Sequence, residues 1–512
     1  MKQYQKFELI YHGKEPQGSQ AQIDLQAEFT CGGETKTVSG FYAGDGRYIV
    51  RYLPQKTGKV TWRVSGLFAD EGEEICEACA DGIHHGLVKP AGVHLQFEDG
   101  TGCRPFGTTV YAMMHQPKER IEQTIETLLS SPFNKVRTCV FPKHYLYNEN
   151  EPDLFAFEKK PEGGFNFHRP CFAFWDAFEE MLAVTEEHGI QIDLIIFHPY
   201  DHWGFSHMTR EQYVPYLHYL VARFSAFSNI WWSLANEYDC LKDFKKEDWD
   251  FIDQMISRED VYGHMLSAHH MLAMYDFSKP NITHCSLQGD AQTVEELQKR
   301  FHKPVLIDEC GYEGNIFCHW GHLSAFEMMD RLWHCVVMGG YGTHGETFVD
   351  PEDVLWWSKG GKLHGQSPAR IAFLKGIIDE LPGGLEPVPP NFITPEEFKL
   401  VKEGKKEVGD SDLIRALLNL PLEEAVRNIE NLIRDTRYYT GHCGEDAYLA
   451  YYGRHCTSTA ELFLPENGKY NVDILDTWEM TRTRQLTDVN GTVTLSLPGK
   501  EGMAAIAIRV ED

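Results

Sequence analysis

Two glutamates carry the most informative chemistry in this chain. Glu237 closes the run Ile230-Trp231-Trp232-Ser233-Leu234-Ala235-Asn236, and Glu309 closes Pro304-Val305-Leu306-Ile307-Asp308. Both runs are short and mostly apolar, as buried strands are, so each carboxylate is expected at the C-terminal end of a strand. Two carboxylates facing each other across a cleft suit cleavage of a glycosidic bond. One gives a proton to the leaving oxygen; the other attacks the anomeric carbon or activates water to do so. Trp231 and Trp232 offer apolar surface that would raise the Glu237 carboxyl and suit it to be the acid.

That chemistry requires one frame that holds both residues. Between about 105 and 385, short apolar segments alternate with amphipathic helical patterns such as 174–187 and 213–224. The spacing predicts strands over 108–111, 135–140, 191–197, 230–234, 264–268, 282–286, 304–308 and 340–343. Eight βα units in about 280 residues is the size and rhythm of a (β/α)8 TIM barrel. No Gly-rich phosphate loop follows the first strand, which argues against a doubly wound open sheet. In a closed barrel, strands four and seven stand nearly opposite one another, and the active site lies at the C-terminal rim.

The flanks follow a different period. Residues 1–66 alternate apolar and polar in short runs separated by turn signals, as a small β-sandwich does. Asp70-Glu71-Gly72-Glu73-Glu74 reads as a solvated loop, and Leu95 to Gly102 as a hairpin. Pro-rich punctuation after Leu381 marks a boundary, residues 394–437 read as polar helix, and alternation returns from about 445. The expected fold class is therefore α/β, a TIM barrel flanked by N-terminal and C-terminal β-sandwich domains. The expected divisions are 1–85, 86–388, and 389–512 for a helical connector with the second sandwich.

The positions after each strand name the rest of the candidate site, above strands that read as apolar. Arg137 follows strand two and would orient the nucleophile and keep it ionised. His198 and Trp203 follow strand three, Asn236 precedes Glu237, His269 follows strand five and Gln288 strand six. Tyr312 after strand seven would hydrogen-bond the nucleophile, and His344, Glu346 and Trp357 follow strand eight. Trp203, Trp356 and Trp357 are candidates to stack on a sugar face, against the alternative that they pack in the core. Glu313 and Glu346 also lie close to strand ends, so either would displace Glu309 as nucleophile if the register were different.

The letters around the two glutamates resemble clan A glycoside hydrolases: Ile230 to Glu237 is similar to the clan's strand-four signature closing in Asn-Glu, and Leu306-Ile307-Asp308-Glu309-Cys310-Gly311 to its strand-seven segment. The likeness extends through Gly342 to Phe348, Leu355 to Gly361 and Asp476 to Thr481. Together these resemble bacterial glycosidases with an N-terminal domain of unknown function, an apiosidase-like or family-five-like barrel and a C-terminal sandwich. The resemblance implies Glu237 as acid/base, Glu309 as nucleophile, Asn236 as donor to the sugar 2-hydroxyl and His198 as a hydroxyl ligand. Retention of configuration would follow. His344 and Glu346 after strand eight depart from the family-five pattern.

Composition bounds the alternatives. The 512 residues are 42% hydrophobic and 24% charged, which excludes wholesale disorder. A net charge of −28 disfavours nucleic acid and anionic membrane surfaces as partners, whereas a neutral sugar meets no such penalty. Thirteen scattered cysteines suit reduced thiols and a cytoplasmic location, and no apolar leader or membrane span is expected. Cys76 and Cys79 form a C-x-x-C without a second pair at zinc spacing, so neither a metal nor a cofactor is expected. The expected partner is a carbohydrate, a short oligosaccharide or glycoside, with homo-oligomerisation left open. Two rival readings are a metal-dependent barrel hydrolase, disfavoured because strand one is followed by Met113-Met114-His115 without a His-x-His, and a non-catalytic carbohydrate-binding protein.

Overall fold

The structure is a computed structural model that describes residues 1–290, 292–349, 355–389, 392–436 and 438–510. The chain forms two compact units, one of residues 1–289, 297–328 and 341–375, the other of 290–296, 329–340 and 376–512.

The first unit contains an eight-stranded parallel sheet. Its strands are Gly107–Thr109, Lys135–Cys139, Gln191–Phe197, Ile230–Ala235, Leu266–Ser267, Cys285–Gln288, Val305–Glu309 and Tyr341–His344, here barrel strands one to eight. They pair in the order 5-4-3-2-1-8-7-6. The seam between strands five and six is closed by a parallel bridge between His269 and Ser286 and by a bond from Ser267 Oγ to the His284 carbonyl, 2.7 Å. Beside it the Thr283 amide and hydroxyl both donate to the Leu266 carbonyl, at 2.8 and 3.0 Å, and the hydroxyl accepts the Leu266 amide at 2.8 Å. All eight expected strands form, and the barrel is a nearly closed TIM barrel.

Helices follow the strands because their apolar residues recur on one face. Phe172–Glu187 buries Phe174, Trp175, Phe178, Met181, Leu182 and Thr185, an i, i+4, i+7 stripe. Arg210–Phe224 starts at a capping box in which the Thr209 amide donates to Gln212 Oε1, 2.8 Å.

Strand periodicity of two decides what fills the cylinder. At its N-terminal end Trp231, Met265 and Leu306 pack against Val88, Leu95 and Cys103 of a three-stranded meander, Val88–Ala91, His94–Phe97 and Gly102–Cys103. Above this floor the interior is charged, which corrects the expectation of apolar strands beneath the rim. Lys135 Nζ lies 2.7 Å from both Asp193 Oδ2 and Asp308 Oδ1. Ser286 and Thr343 also donate to Asp308, at 2.6 and 3.1 Å. Burial opposes the Asp308 charge, but Lys135 and Arg137 outweigh it and hold the carboxyl well below its usual range.

The N-terminal sandwich packs a four-stranded sheet, in the order Glu34–Ser39, Leu25–Cys31, Gly58–Gly66, Asp70–Cys76, with a three-stranded one. Phe29 stacks on Tyr52 in its core, with ring centroids 4.3 Å apart. The acidic run expected as a loop is the strand Asp70–Cys76, whose side chains are mostly exposed. Charge on an edge strand is a protection against further pairing, and sequence alone does not distinguish it from a loop. Buried Arg51 joins this sandwich to the barrel helices: Nε bonds Glu8 Oε1 at 2.7 Å, Nη1 bonds the Arg223 carbonyl at 2.6 Å, and Nη2 bonds Glu179.

In the second unit, Pro395–Lys402, Asp412–Leu418 and Leu422–Thr436 are helices with a small core of Phe398, Ile414, Leu417, Ala425 and Ile429. This is the expected helical connector; its last position, 437, lies outside the described residues. A six-stranded antiparallel sheet, whose edge strand Glu386–Pro387 precedes the helices and whose other five strands follow them, has a two-stranded partner, Thr459–Phe463 and Thr492–Ser496, and forms the C-terminal sandwich with it. No described helix is long and apolar enough to cross a membrane, and none of the thirteen cysteines is in a disulfide.

The buried charge ladder makes a stability prediction. Lys135→Met strands Asp193 and Asp308 without their shared ammonium and should cost about 3–5 kcal/mol. A chemical-denaturation midpoint equal to that of wild type would show that the ladder is not holding the barrel.

Candidate active site

Glu309 ends barrel strand seven and Glu237 is the second residue after strand four, so the barrel order brings them to the rim from nearly opposite walls. Glu237 is a non-glycine residue in the left-handed region, φ +50° and ψ +57°. Such a conformation is costly for a side-chain-bearing residue and collects at functional sites. Glu237 is 3% exposed and Glu309 8%.

Arg137 joins the two walls. Projecting from strand two with no exposed surface, it donates through Nη2 to Asn236 Oδ1 at 3.1 Å and through Nη1 to Glu309 Oε1 at 3.3 Å. Its Nε faces Asp193 at 3.6 Å, so the rim rests on the charge ladder below. The Tyr111 hydroxyl donates to Glu309 Oε1, accepts from Arg137 Nη1 at 3.3 Å and lies 3.1 Å from Asn236 Oδ1. Glu309 Oε2 and Asn236 Nδ2 are left without a hydrogen bond among the described residues.

His269 completes the link. The Glu237 amide donates to its Nδ1 at 3.3 Å, so the ring hydrogen sits on Nε2, which is buried without a partner. Burial holds this imidazole neutral, with its pKa pushed down to about 3. Tyr200, after strand three, donates its hydroxyl to Glu237 Oε2.

These surroundings drive the two carboxyls apart. Burial, then the negative charge of Glu309, pushes Glu237 up to about 7, against the Tyr200 hydrogen bond and Lys143. Burial also opposes ionisation of Glu309, but His269, Arg137, the Tyr111 hydrogen bond and Lys143 more than offset it and set its pKa below the usual value. With His269 neutral near pH 7, Arg137 and Lys143 supply the countercharge there. Trp231 and Trp232 are not the apolar wall expected around Glu237: Trp231 lies in the barrel floor and donates to Gln191 at 3.1 Å, and Trp232 donates to Asp260 at 3.1 Å.

The other expected residues divide into two groups. Trp357 packs in an aromatic cluster with Tyr111, Tyr312 and Tyr145. The Tyr312 hydroxyl meets that of Tyr111 at 3.4 Å. Gln288 pairs in register with Glu309, and its Oε1 is a buried orphan. His198 donates from Nε2 to the Phe141 carbonyl at 3.2 Å, with Nδ1 unpartnered, and Trp203 sits half-buried with Nε1 on Glu151 at 2.9 Å.

His344 and Glu346 do not join the glutamate pair. His344 is fully buried, stacked on Phe133 and bonded to Thr108 at 3.0 Å. Glu346 accepts the amides of His364 and Gly365 at 2.5 and 2.8 Å. Glu313, the alternative nucleophile, accepts those of Gln366 and Ser367 at 2.8 and 3.1 Å. Both therefore anchor the start of the helix Ser367–Asp379, where orphan amides attract a carboxylate. A Cβ on Gly365 would meet both carboxylates within 2.7 Å, so the close approach depends on glycine. Trp356 donates to Thr108 at 2.8 Å, outside the site.

Two clusters among the described residues bring three metal-capable side chains together. In Glu313, His344 and Glu346 every carboxylate oxygen already accepts a backbone amide. The other is Cys79, Asp81 and His84, where the Cys79 thiol donates to Asp81 at 3.1 Å, while Cys76 of the C-x-x-C is buried in the sandwich core. Neither includes Glu237 or Glu309.

Sequence reasoning assigns no role to Tyr111 or Lys143, and places Tyr200 only as a rim residue after strand three. Tyrosine at a strand end reads as packing, and a lysine in a loop reads as solvated. Only their convergence on the glutamates distinguishes them.

The sequence profile described as Apiosidase-like, catalytic domain, matches residues 48–359. The chain belongs to the apiosidase-like family. Two domains of unknown function flank the match, DUF5060 over residues 1–66 and DUF5605 over 437–510. This apiosidase-like chain is 30% identical to a protein from Bacteroides vulgatus ATCC 8482 assigned as a glycoside hydrolase, over 99% of each chain with a TM-score of 0.84. A family 5 glycoside hydrolase from the same organism shares the fold at 14% identity and a TM-score of 0.60, covering 83% of this chain and 93% of the other. A further glycoside hydrolase matches at 15% identity and 0.61, over 84% and 98%. No curated protein matches. Family and fold are those of glycoside hydrolases.

The raised carboxyl generates a stability prediction. Glu237 is ionised at pH 8 and protonated at pH 5, and its folded-state pKa lies above the unfolded value, so native stability falls as pH rises from about 4.5 through 7. Glu237→Gln removes that buried charge. It should therefore raise the melting temperature at pH 8 and leave it nearly unchanged at pH 5; an equal effect at both would contradict the assigned ionisation.

Proposed function

We propose that this protein is a retaining glycoside hydrolase acting by double displacement on a short oligosaccharide or glycoside, with Glu309 as nucleophile and Glu237 as acid/base. The observation that carries this reading is a pair of buried rim carboxyls in unlike surroundings, Glu309 accepting from Arg137 and Tyr111 and Glu237 from Tyr200, which pushes Glu309 down and Glu237 up. Paired groups pushed apart in this way divide into acid and base roles.

In the first step the unbonded Oε2 of Glu309 attacks the anomeric carbon while protonated Glu237 gives its proton to the departing glycosidic oxygen. A glycosyl ester on Glu309 and a free alcohol result. In the second, Glu237, now a carboxylate, takes a proton from water as that water attacks the same carbon and releases Glu309. Arg137 and Tyr111 hold Oε1 of Glu309 and so aim Oε2. Asn236 Nδ2 is free to donate to the sugar hydroxyl next to the scissile bond. A neutral polyol also meets no repulsion from a chain of net charge −28.

A panel of aryl glycosides, on which apiosides belong given the family description, tests the reading. Glu237→Gln should lower kcat/KM by about 10²–10⁴-fold, least for substrates with acidic leaving groups. A 2-fluoro glycoside should label Glu309, and a label on any other residue would overturn the nucleophile assignment.

A further inference from the structure

One charged group at the rim has no role in the steps above. Lys143 lies beyond strand two in the turn 143–148, where Asn148 Nδ2 donates to its carbonyl at 2.5 Å. The next amide, of His144, donates to the Tyr200 carbonyl at 2.8 Å and so ties this turn to the loop after strand three. Lys143 is only 3% exposed. No carboxylate lies within ion-pair distance of its ammonium, and no hydrogen-bond acceptor reaches it among the described residues. Aromatic faces surround it instead: Nζ is 3.8 Å from the ring centroid of Tyr111, 4.3 Å from that of Tyr200 and 4.5 Å from that of Trp357.

A desolvated ammonium is expensive to bury, and three ring faces repay part of that cost through cation–π attraction. Two of the three rings are not bystanders. Tyr111 donates its hydroxyl to Glu309 and Tyr200 donates its hydroxyl to Glu237. A cation over a phenol face draws electron density from the ring and makes its O–H a stronger donor. The same cation holds both rings at fixed orientation.

We infer that Lys143 is a positioning residue for the proposed reaction: one caged ammonium sets the hydrogen bonds that Tyr111 and Tyr200 donate to the nucleophile and the acid/base. The inference deepens the hydrolase reading and rests on it. The charged and titratable groups facing Lys143 are Cys139, Glu309, Glu237, Arg137 and His198, besides Tyr111, Tyr145 and Tyr200. Burial lowers the Lys143 ammonium to about 8, so it is mostly charged at pH 7 and is lost as pH rises through 8. Its charge favours ionisation of both glutamates.

The test is Lys143→Met in the full chain. With carbon-13-labelled glutamate, the Glu237 titration should move up by about one pH unit. On the substrate found by the glycoside panel, kcat should fall about tenfold or more, with KM within threefold and the acid limb of the pH profile displaced upward. Lys143→Arg should return both midpoints towards wild type. A second measurement needs no variant of Lys143: in Glu237→Gln, which removes the neighbouring carboxyl and so lets Lys143 discharge below its wild-type value of about 8, the Tyr111 and Tyr200 ring resonances should shift together in that one step. A folded Lys143→Met protein with wild-type glutamate titrations, or tyrosine rings that share no step, would overturn the inference. Failure of the hydrolase reading is separable, because it shows as wild type turning over no glycoside on the panel.

Discussion

The site depends on a single guanidinium taken entirely out of water. Burial opposes the charge of Arg137, and it is retained because Tyr111, Asp308, Glu309 and Asp193 together favour it. An isolated buried ion of this size would be prohibitive, so the residues around it are constrained as a set. Below, Lys135 and the two aspartates balance charge inside the cylinder. Above, the same guanidinium holds Asn236 on one wall and Glu309 on the other. The barrel interior thus orients the rim: removing any member leaves a charge or a donor without its partner in a place that water cannot reach.

That arrangement keeps two chemically identical side chains different. Glu309 accepts from a cation and a phenol, and its carboxyl is held low. Glu237 is raised by burial and by Glu309 itself, and is reached through a left-handed backbone turn. Neutral His269 joins the two environments, because its Nδ1 is committed to the Glu237 amide and its Nε2 hydrogen remains for the site. The aromatic cluster of Tyr111, Tyr145, Tyr312, Trp320 and Trp357 packs beside them, with Tyr145 and Trp320 only partly buried.

Much of the scaffold was legible because parallel buried strands and amphipathic helices have different periods. Each of the eight expected strands contains or overlaps an observed one. The errors have physical causes. Asp70–Cys76 is acidic yet paired, since an exposed edge strand buries little. Lys135, Asp193 and Asp308 sit among apolar letters in runs that read as apolar, but alternation turns all three inward. His344 and Glu346 follow a strand end as site residues would, yet serve packing and a helix start. Lys143 and Tyr200 arrive from loops whose path no local pattern specifies.

What the sequence determined by itself is the set of residues at strand ends and the period that makes them strand ends, because burial and hydrogen-bond repeats are local properties of neighbouring residues. Glu237, Glu309 and Asn236 were identifiable on that basis, whereas Arg137 projects from within strand two. Only the tertiary structure decided which carboxyl is raised and which lowered, which glutamates anchor a helix, and which lysine lies over the tyrosines. Those properties are set by groups distant in the chain, brought together where water is excluded and charge is poorly screened.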